Sequence, residues 1–199
     1  MFTITALVEG VAPLLQNRFA PEQLGTMMQG STKRTGSADR SMEWFDGVYV
    51  TQDGLLYQPN SHLEGALAKA ATAFKIKGAR GKSWREPIRA YCYVMPEQLL
   101  HLRDGKSVKA PGRELLHEPE QYLAVNVSRV KVQRSAVARS RLLVAPGWQL
   151  KFMIEVHDEQ VREEVVREIL VEAGRAVGIG DNRPRYGRFA VVDFSLDEP

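Results

Sequence analysis

Residues 75–89 hold six cations, Lys75, Lys77, Arg80, Lys82, Arg85 and Arg89, against one acid, Glu86. Phe74, Trp84, Tyr91 and Tyr93 are interleaved with them. Lysine and arginine track phosphates while aromatic rings stack on unpaired bases, so this mixture suits a single nucleic-acid strand. A solvated loop with one or two core aromatics is the competing reading. A second basic segment, residues 129–141, carries Arg129, Lys131, Arg134, Arg139 and Arg141 and no acid. Arginine and serine at a strand end suit phosphate contact. The same residues also suit a protruding hairpin that meets another subunit. The third signal is Gly178-Ile179-Gly180, followed by Arg183, Arg185, Gly187 and Arg188. Glycine admits positive φ and lets a ligand backbone approach closely, with the arginines as donors at the same place. The alternative is a glycine-closed connection with solvated arginines. The spacing is not G-x-G-x-x-G, the segment precedes a strand, and no Gly-Lys-Ser/Thr occurs, which disfavours a dinucleotide loop and excludes a P-loop.

Catalytic signatures are thin. His62, His101, His117 and His157 are scattered and lack metal-ligand spacing. His62 falls in the first turn of an expected helix, where a general-base role is conceivable. Asp39, Asp46 and Asp53 could meet a divalent ion, but loop aspartates are usually turn formers, and Asp53-Gly54 reads as a turn. No serine has a G-x-S-x-G context. The lone Cys92 reads as a small buried hydrophobe. The expectation is therefore no catalytic residue, no metal and no cofactor.

These groups need elements to position them. Residues 2–8 alternate as a half-buried strand. A short helix is expected near 21–29, a loop over 30–42, and a hairpin over 44–58 around Asp53-Gly54. Ser61 and Glu64 stand at capping-box spacing before Leu63, Leu67, Ala70 and Phe74, predicting a helix over 60–74. Residues 88–95 read as a strand, 100–120 as a loop, and 122–132 as a strand with a return near 142–144. Leu150, Phe152, Ile154 and Val156 mark the clearest amphipathic strand, 148–156. Asp158 is the expected cap of a last helix, 159–173, and 188–194 is the final strand. The order is β-α-β-β-α-β. That predicts an α+β, modified ferredoxin-like (RRM-like) fold in one domain over 1–199, with large insertions at about 10–58 and 96–146.

The chain has 199 residues and a formal net charge of +3. The charge is segregated: residues 142–180 carry four cations against seven acids, whereas the two basic segments are nearly acid-free. Segregated charge builds a local potential that a modest net charge hides. With one cysteine, no internal disulfide or cysteine-rich zinc site is available. No apolar run reaches membrane-spanning length and the start lacks a signal-peptide pattern, so a cytoplasmic location is expected.

Two stretches together resemble a known family. Asp53-Gly54-Leu55-Leu56-Tyr57-Gln58-Pro59-Asn60-Ser61-His62-Leu63-Glu64-Gly65-Ala66-Leu67 is similar to the entry into the first helix of RAMP-superfamily proteins, the RNA-binding subunits of CRISPR effector complexes. Gln58 and Glu64 stand where that family usually has isoleucine and lysine. Gly178 to Gly187 looks like the superfamily's C-terminal glycine-rich loop, and Val11-Ala12-Pro13-Leu14-Leu15 resembles the segment after the first strand of backbone-forming members. Short RAMP-like proteins of phages and prophages share the Pro-Leu-Leu start and the Gly-x-Gly-Asp-x-Arg-Pro loop. The resemblance implies a non-enzymatic, largely sequence-independent binder of single-stranded RNA. Such a subunit assembles along the strand with copies of itself and with other ribonucleoprotein subunits. The alternatives are a phage single-stranded DNA-binding or annealing protein, and a RAMP-like endoribonuclease acting through His62 or a loop aspartate.

Overall fold

The computed structural model describes residues 1–18, 43–114, 122–132 and 135–197, and the backbone alone for 130–132 and 135–137. The expected helix at 21–29, the loop at 30–42, Arg134 and the Lys131 side chain lie outside this description. In chain order the elements are β1 (Phe2–Gly10), β2 (Leu14–Gln16), α1 (Glu43–Asp46), β3 (Tyr57–Pro59), α2 (Asn60–Ala70), α3 (Arg85–Tyr91), β4 (Cys92–Met95), β5 (Gln98–Arg103), β6 (Lys106–Ser107), β7 (Leu123–Val132), β8 (Ser135–Val144), β9 (Gln149–Val156), α4 (Glu163–Glu172) and β10 (Phe189–Asp197).

Strands β10, β1, β9 and β4 lie side by side, antiparallel throughout. Helix α2 falls between β1 and β4 in the chain, and α4 between β9 and β10. This is the α+β ferredoxin-like arrangement expected from the element order. Alternation decides which face is covered: Ile4, Ala6 and Val8 of β1 and Leu150, Phe152, Ile154 and Val156 of β9 are buried. Burying one such side chain stabilises the fold by roughly 1.5–3 kcal/mol. The opposite face carries Met153 against Thr5 and Met95, and Glu155 against Thr3 and Tyr93. Met153, Met95 and Tyr93 are exposed there.

A second, three-stranded sheet, β2-β8-β7, comes from the insertions. Its long hairpin pairs Leu123 with Val144 and Val132 with Ser135. Trp148 ties the sheets together: its ring is fully buried and its Nε1 donates to the Ala12 carbonyl at 2.9 Å.

Several local expectations change. The capping box does not form. Pro59 is the N-cap of α2, which has no side-chain cap bond. Glu64 Oε1 instead accepts from Val94 N at 3.1 Å, and Asn60 Nδ2 donates to Val94 O at 2.7 Å. The first turn of α2 thus clips β4 rather than capping itself. The strand expected from Ile88 begins only at Cys92. The preceding residues form α3, which Trp84 opens by accepting from Ile88 N, with Pro87 tolerated in the first turn. Residues 98–107 are a hairpin rather than a loop, turning at Asp104 and Gly105, both at positive φ. The 44–58 region turns at Gly54 as expected, with Val50 bridging Leu56, but Glu43–Asp46 is helical. Helix α4 begins at Glu163 behind an Arg162 N-cap, while Asp158 closes a separate turn by accepting from Gln160 N.

Candidate nucleic-acid interface

Helix α2 is built from small residues on one face. Gly65, Ala68, Lys69 and Thr72 recur at helical spacing and form one wall of an open groove of about 710 Å³. Helix α3 supplies Arg85 and Arg89, one turn apart, and the loop after α4 supplies Arg183 and Pro184. A Cβ added at Gly65 would meet nothing within 4 Å, so the wall is open rather than filled. Four cations from three distant segments therefore rim one groove: Lys69, Arg85, Arg89 and Arg183.

Among the described residues, only Glu86 forms ion pairs at this rim, at 3.8 Å from Arg85 and 3.9 Å from Arg89, with its side chain 72% exposed. Exposed pairs at such distances contribute little, so both guanidiniums can exchange this carboxylate for a phosphate. Bidentate arginine geometry suits that exchange.

The glycine-rich segment is positioned by packing against the chain's own start. Gly187 N donates to Pro13 O at 2.7 Å, Asp181 N to Leu15 O at 2.9 Å, and Ile179 N to Gly187 O at 2.9 Å. Gly180 and Gly187 both have positive φ; a Cβ would fall 2.6 Å from Leu15 O and 1.7 Å from Ile179 O, respectively. The space beside these glycines, expected from their type to admit a ligand, is occupied by backbone. Gly178 is likewise closed by Tyr186 and Gly187. What the closed loop delivers is exposed Arg183 and Arg185. Two of the three segments that carry the family resemblance, Val11–Leu15 and Gly178–Gly187, thus meet in space.

The other expected contact residues divide. Lys75, Lys77, Arg80 and Lys82 are exposed on a tight loop, closed by a Lys75–Ser83 bridge and by Trp84 N donating to Phe74 O at 3.0 Å. Trp84 and Phe74 are half-buried against the core, so the loop's tip is cationic without an exposed ring. In the hairpin, Arg129 is exposed. Arg139 pairs with Glu43, and Arg141 pairs with Asp181 and donates to Ser128 Oγ at 3.3 Å. Those two side chains are engaged in fixing the hairpin base to α1 and to the glycine-rich loop. Lys69 lies outside every segment that composition singles out, and Arg89 is there only one cation among six. A lysine in an alanine-rich helix looks solvated until α3 packs beside it.

Beside the groove, His62 continues the α2 face that bears Gly65 and Lys69. Its Nδ1 is hydrogen-bonded to Gln58 Nε2. Burial, then the Arg183 charge, lowers its pKa, with Asp181 opposing. Among the described residues, no cluster of His, Cys, Asp and Glu could hold a metal ion, and no helix is long and apolar enough to cross a membrane.

No protein-family model matches the chain, and no curated protein matches it by sequence. Solved structures do match. A chain of the Type III-B Cmr-beta complex bound to cognate target RNA superposes with a TM-score of 0.53 at 13% identity, covering 99% of this chain and 61% of that one. A chain of a Type IV-B CRISPR complex gives a TM-score of 0.50 at 10% identity, covering 98% of this chain and 90% of its own. The protein therefore spans about 61% of the Cmr chain's length, and it has the fold of subunits found in CRISPR complexes.

Proposed function

We propose that the protein is a RAMP-type, non-enzymatic subunit that binds single-stranded RNA largely without regard to sequence, in a CRISPR-type or phage ribonucleoprotein of the cytoplasm. In this reading the whole chain is one RAMP-like unit with two insertions, and it assembles along the strand with further copies and with other subunits. The observation that carries the reading is the convergence of Lys69, Arg85, Arg89 and Arg183 on one open groove, in a fold that CRISPR-complex subunits share. Backbone-tracking cations give affinity without base readout, as expected for a binder that accepts any guide. Arg185, Arg129 and the Lys75–Lys82 loop extend the positive surface along the strand's path.

The test is a labelled single-stranded RNA of about 40 nucleotides titrated across salt, with the DNA strand as competitor and particle size as a second readout. Salt-sensitive, cooperative binding that yields oligomers supports the reading. Stronger binding to DNA with strand annealing favours the phage DNA-binding alternative, and RNA cut without added metal favours the endoribonuclease. No binding at low salt overturns all nucleic-acid readings.

A further inference from the structure

Two glutamines lie in the core, where packing alone calls for nothing polar: Gln16 and Gln58 are 1% and 0% exposed. Burying amides is costly unless each finds partners, and the partners here are specific. Gln16 Oε1 accepts from Tyr49 N at 3.0 Å, and Gln16 Nε2 donates to Tyr57 O at 2.8 Å and to Gln58 Oε1 at 3.2 Å. Gln58 Nε2 then donates to His62 Nδ1. Fully buried His101 closes the cluster, its Nε2 3.4 Å from Gln16 Nε2. The relay thus reaches three residues, Tyr49, Tyr57 and His62, and all three rings are half-buried at the surface.

The rings form one step. Tyr49 stands between the others, 5.6 Å from Tyr57 and 5.6 Å from His62 by ring centroids, edge to face in both pairs. An edge-to-face step is not a closed parallel stack, so a further planar ring can add to it. Because Gln58 donates to Nδ1, the imidazole proton sits on Nε2, and the ring is neutral. The charge of Arg183 acts on His62 and that of Arg18, an exposed residue whose amide donates to Gly47 O at 2.8 Å, acts on Tyr49, while Asp181, the ion-pair partner of Arg141, acts on both.

We infer that Tyr49, His62 and Tyr57 form a nucleobase-stacking step at the end of the α2 groove, receiving a base from the same strand whose phosphates the groove cations hold. This inference rests on the RNA-binding reading above. It adds to that reading a contact with the bases, which the cations alone do not make. His62 acts here as a flat ring and an Nε2–H donor rather than as a base.

The experiment compares the full chain's affinity for oligouridylate with that for an abasic strand of equal length and charge. Stacking on half-exposed rings predicts that wild type prefers the base-bearing strand by about five- to tenfold. Tyr49→Leu keeps an apolar filler and removes the ring; it is expected to abolish the preference with an unchanged salt slope, whereas Tyr49→Phe keeps it. Tyr57→Leu provides the same test should Tyr49→Leu fail to fold. Equal wild-type affinity for the two strands overturns the stacking step while leaving RNA binding intact. So does a preference that survives Tyr49→Leu or Tyr57→Leu. Failure of wild type to bind either strand overturns both this inference and the RNA-binding reading.

Discussion

Replacing Lys69, Arg85, Arg89 and Arg183 together by alanine removes the four cations that rim the groove, and the effect on salt dependence can be worked out beforehand. Each cation that neutralises a phosphate of a single strand contributes about −0.7 to the slope of log affinity against log salt. Four contribute about −2.8. Raising salt fourfold, from about 50 to about 200 mM, then weakens this component about 50-fold. Arg183→Ala alone shallows the slope by about 0.7, so the same step weakens what remains about 18-fold. Arg85 and Arg89 release Glu86 when they bind, but its carboxylate is 72% exposed and its pairs are weak, so the correction is small. The assay is fluorescence anisotropy of a uniform single strand at five or more salt concentrations. Other exposed cations set the total slope, so the informative quantity is the difference between wild type and variant. A quadruple variant whose slope matches that of wild type refutes the groove as the phosphate track.

Other expectations concern the scaffold. Gly187→Ala places a Cβ 1.7 Å from Ile179 O at positive φ; the left-handed penalty alone is roughly 1–2 kcal/mol, so calorimetry should show Tm falling by at least about 2 °C, and an unchanged Tm contradicts the packing described. Arg141 and Asp181 should couple by about 1–2 kcal/mol in a double-mutant cycle, since the side chains are 12% and 32% exposed; additive losses would mean that the pair does not fix the loop. Burial lowers the pKa of His101 to about 3. Because the unfolded chain binds this proton near pH 6.5 and the folded chain does not, stability is complete above that value and falls as pH drops toward about 3. His101→Leu should remove that part of the pH dependence in urea unfolding; an identical profile would show that the ring is not held neutral.

Much of the framework is legible because alternation and periodicity report burial directly. Leu150, Phe152, Ile154 and Val156 can belong only to a strand with one covered face, and β1 follows the same logic. Boundaries shift where tertiary partners override local signals. Glu64 has capping-box spacing, yet Val94 N captures it. Ile88 reads as a strand, yet Trp84 and Pro87 begin a helix first. Asp104-Gly105 carries the same turn signal as Asp53-Gly54, but the polar, proline-containing stretch that follows it masks the hairpin. The groove is partly legible: Arg85, Arg89 and Arg183 stand in segments whose composition is conspicuous, whereas Lys69 acquires meaning only when α2 and α3 pack together. Tyr57 and His62 stand in the stretch that carries the family resemblance, but nothing in the sequence groups them with Tyr49, because the relay that unites the three runs through Gln16 and Gln58, far apart in the chain.

The proposed path lays one strand of RNA along the α2–α3 groove beside the glycine-rich loop. Ultraviolet crosslinking of the full chain to uniform single-stranded RNA, with crosslinked peptides identified by mass spectrometry, reports that path. Crosslinks are expected in peptides spanning residues 65–72, 85–89 and 181–187, with those at residues 49–62 marking the stacking step. Crosslinks confined to the open sheet face around Thr5, Met153 and Asp193, or none at low salt, would contradict it.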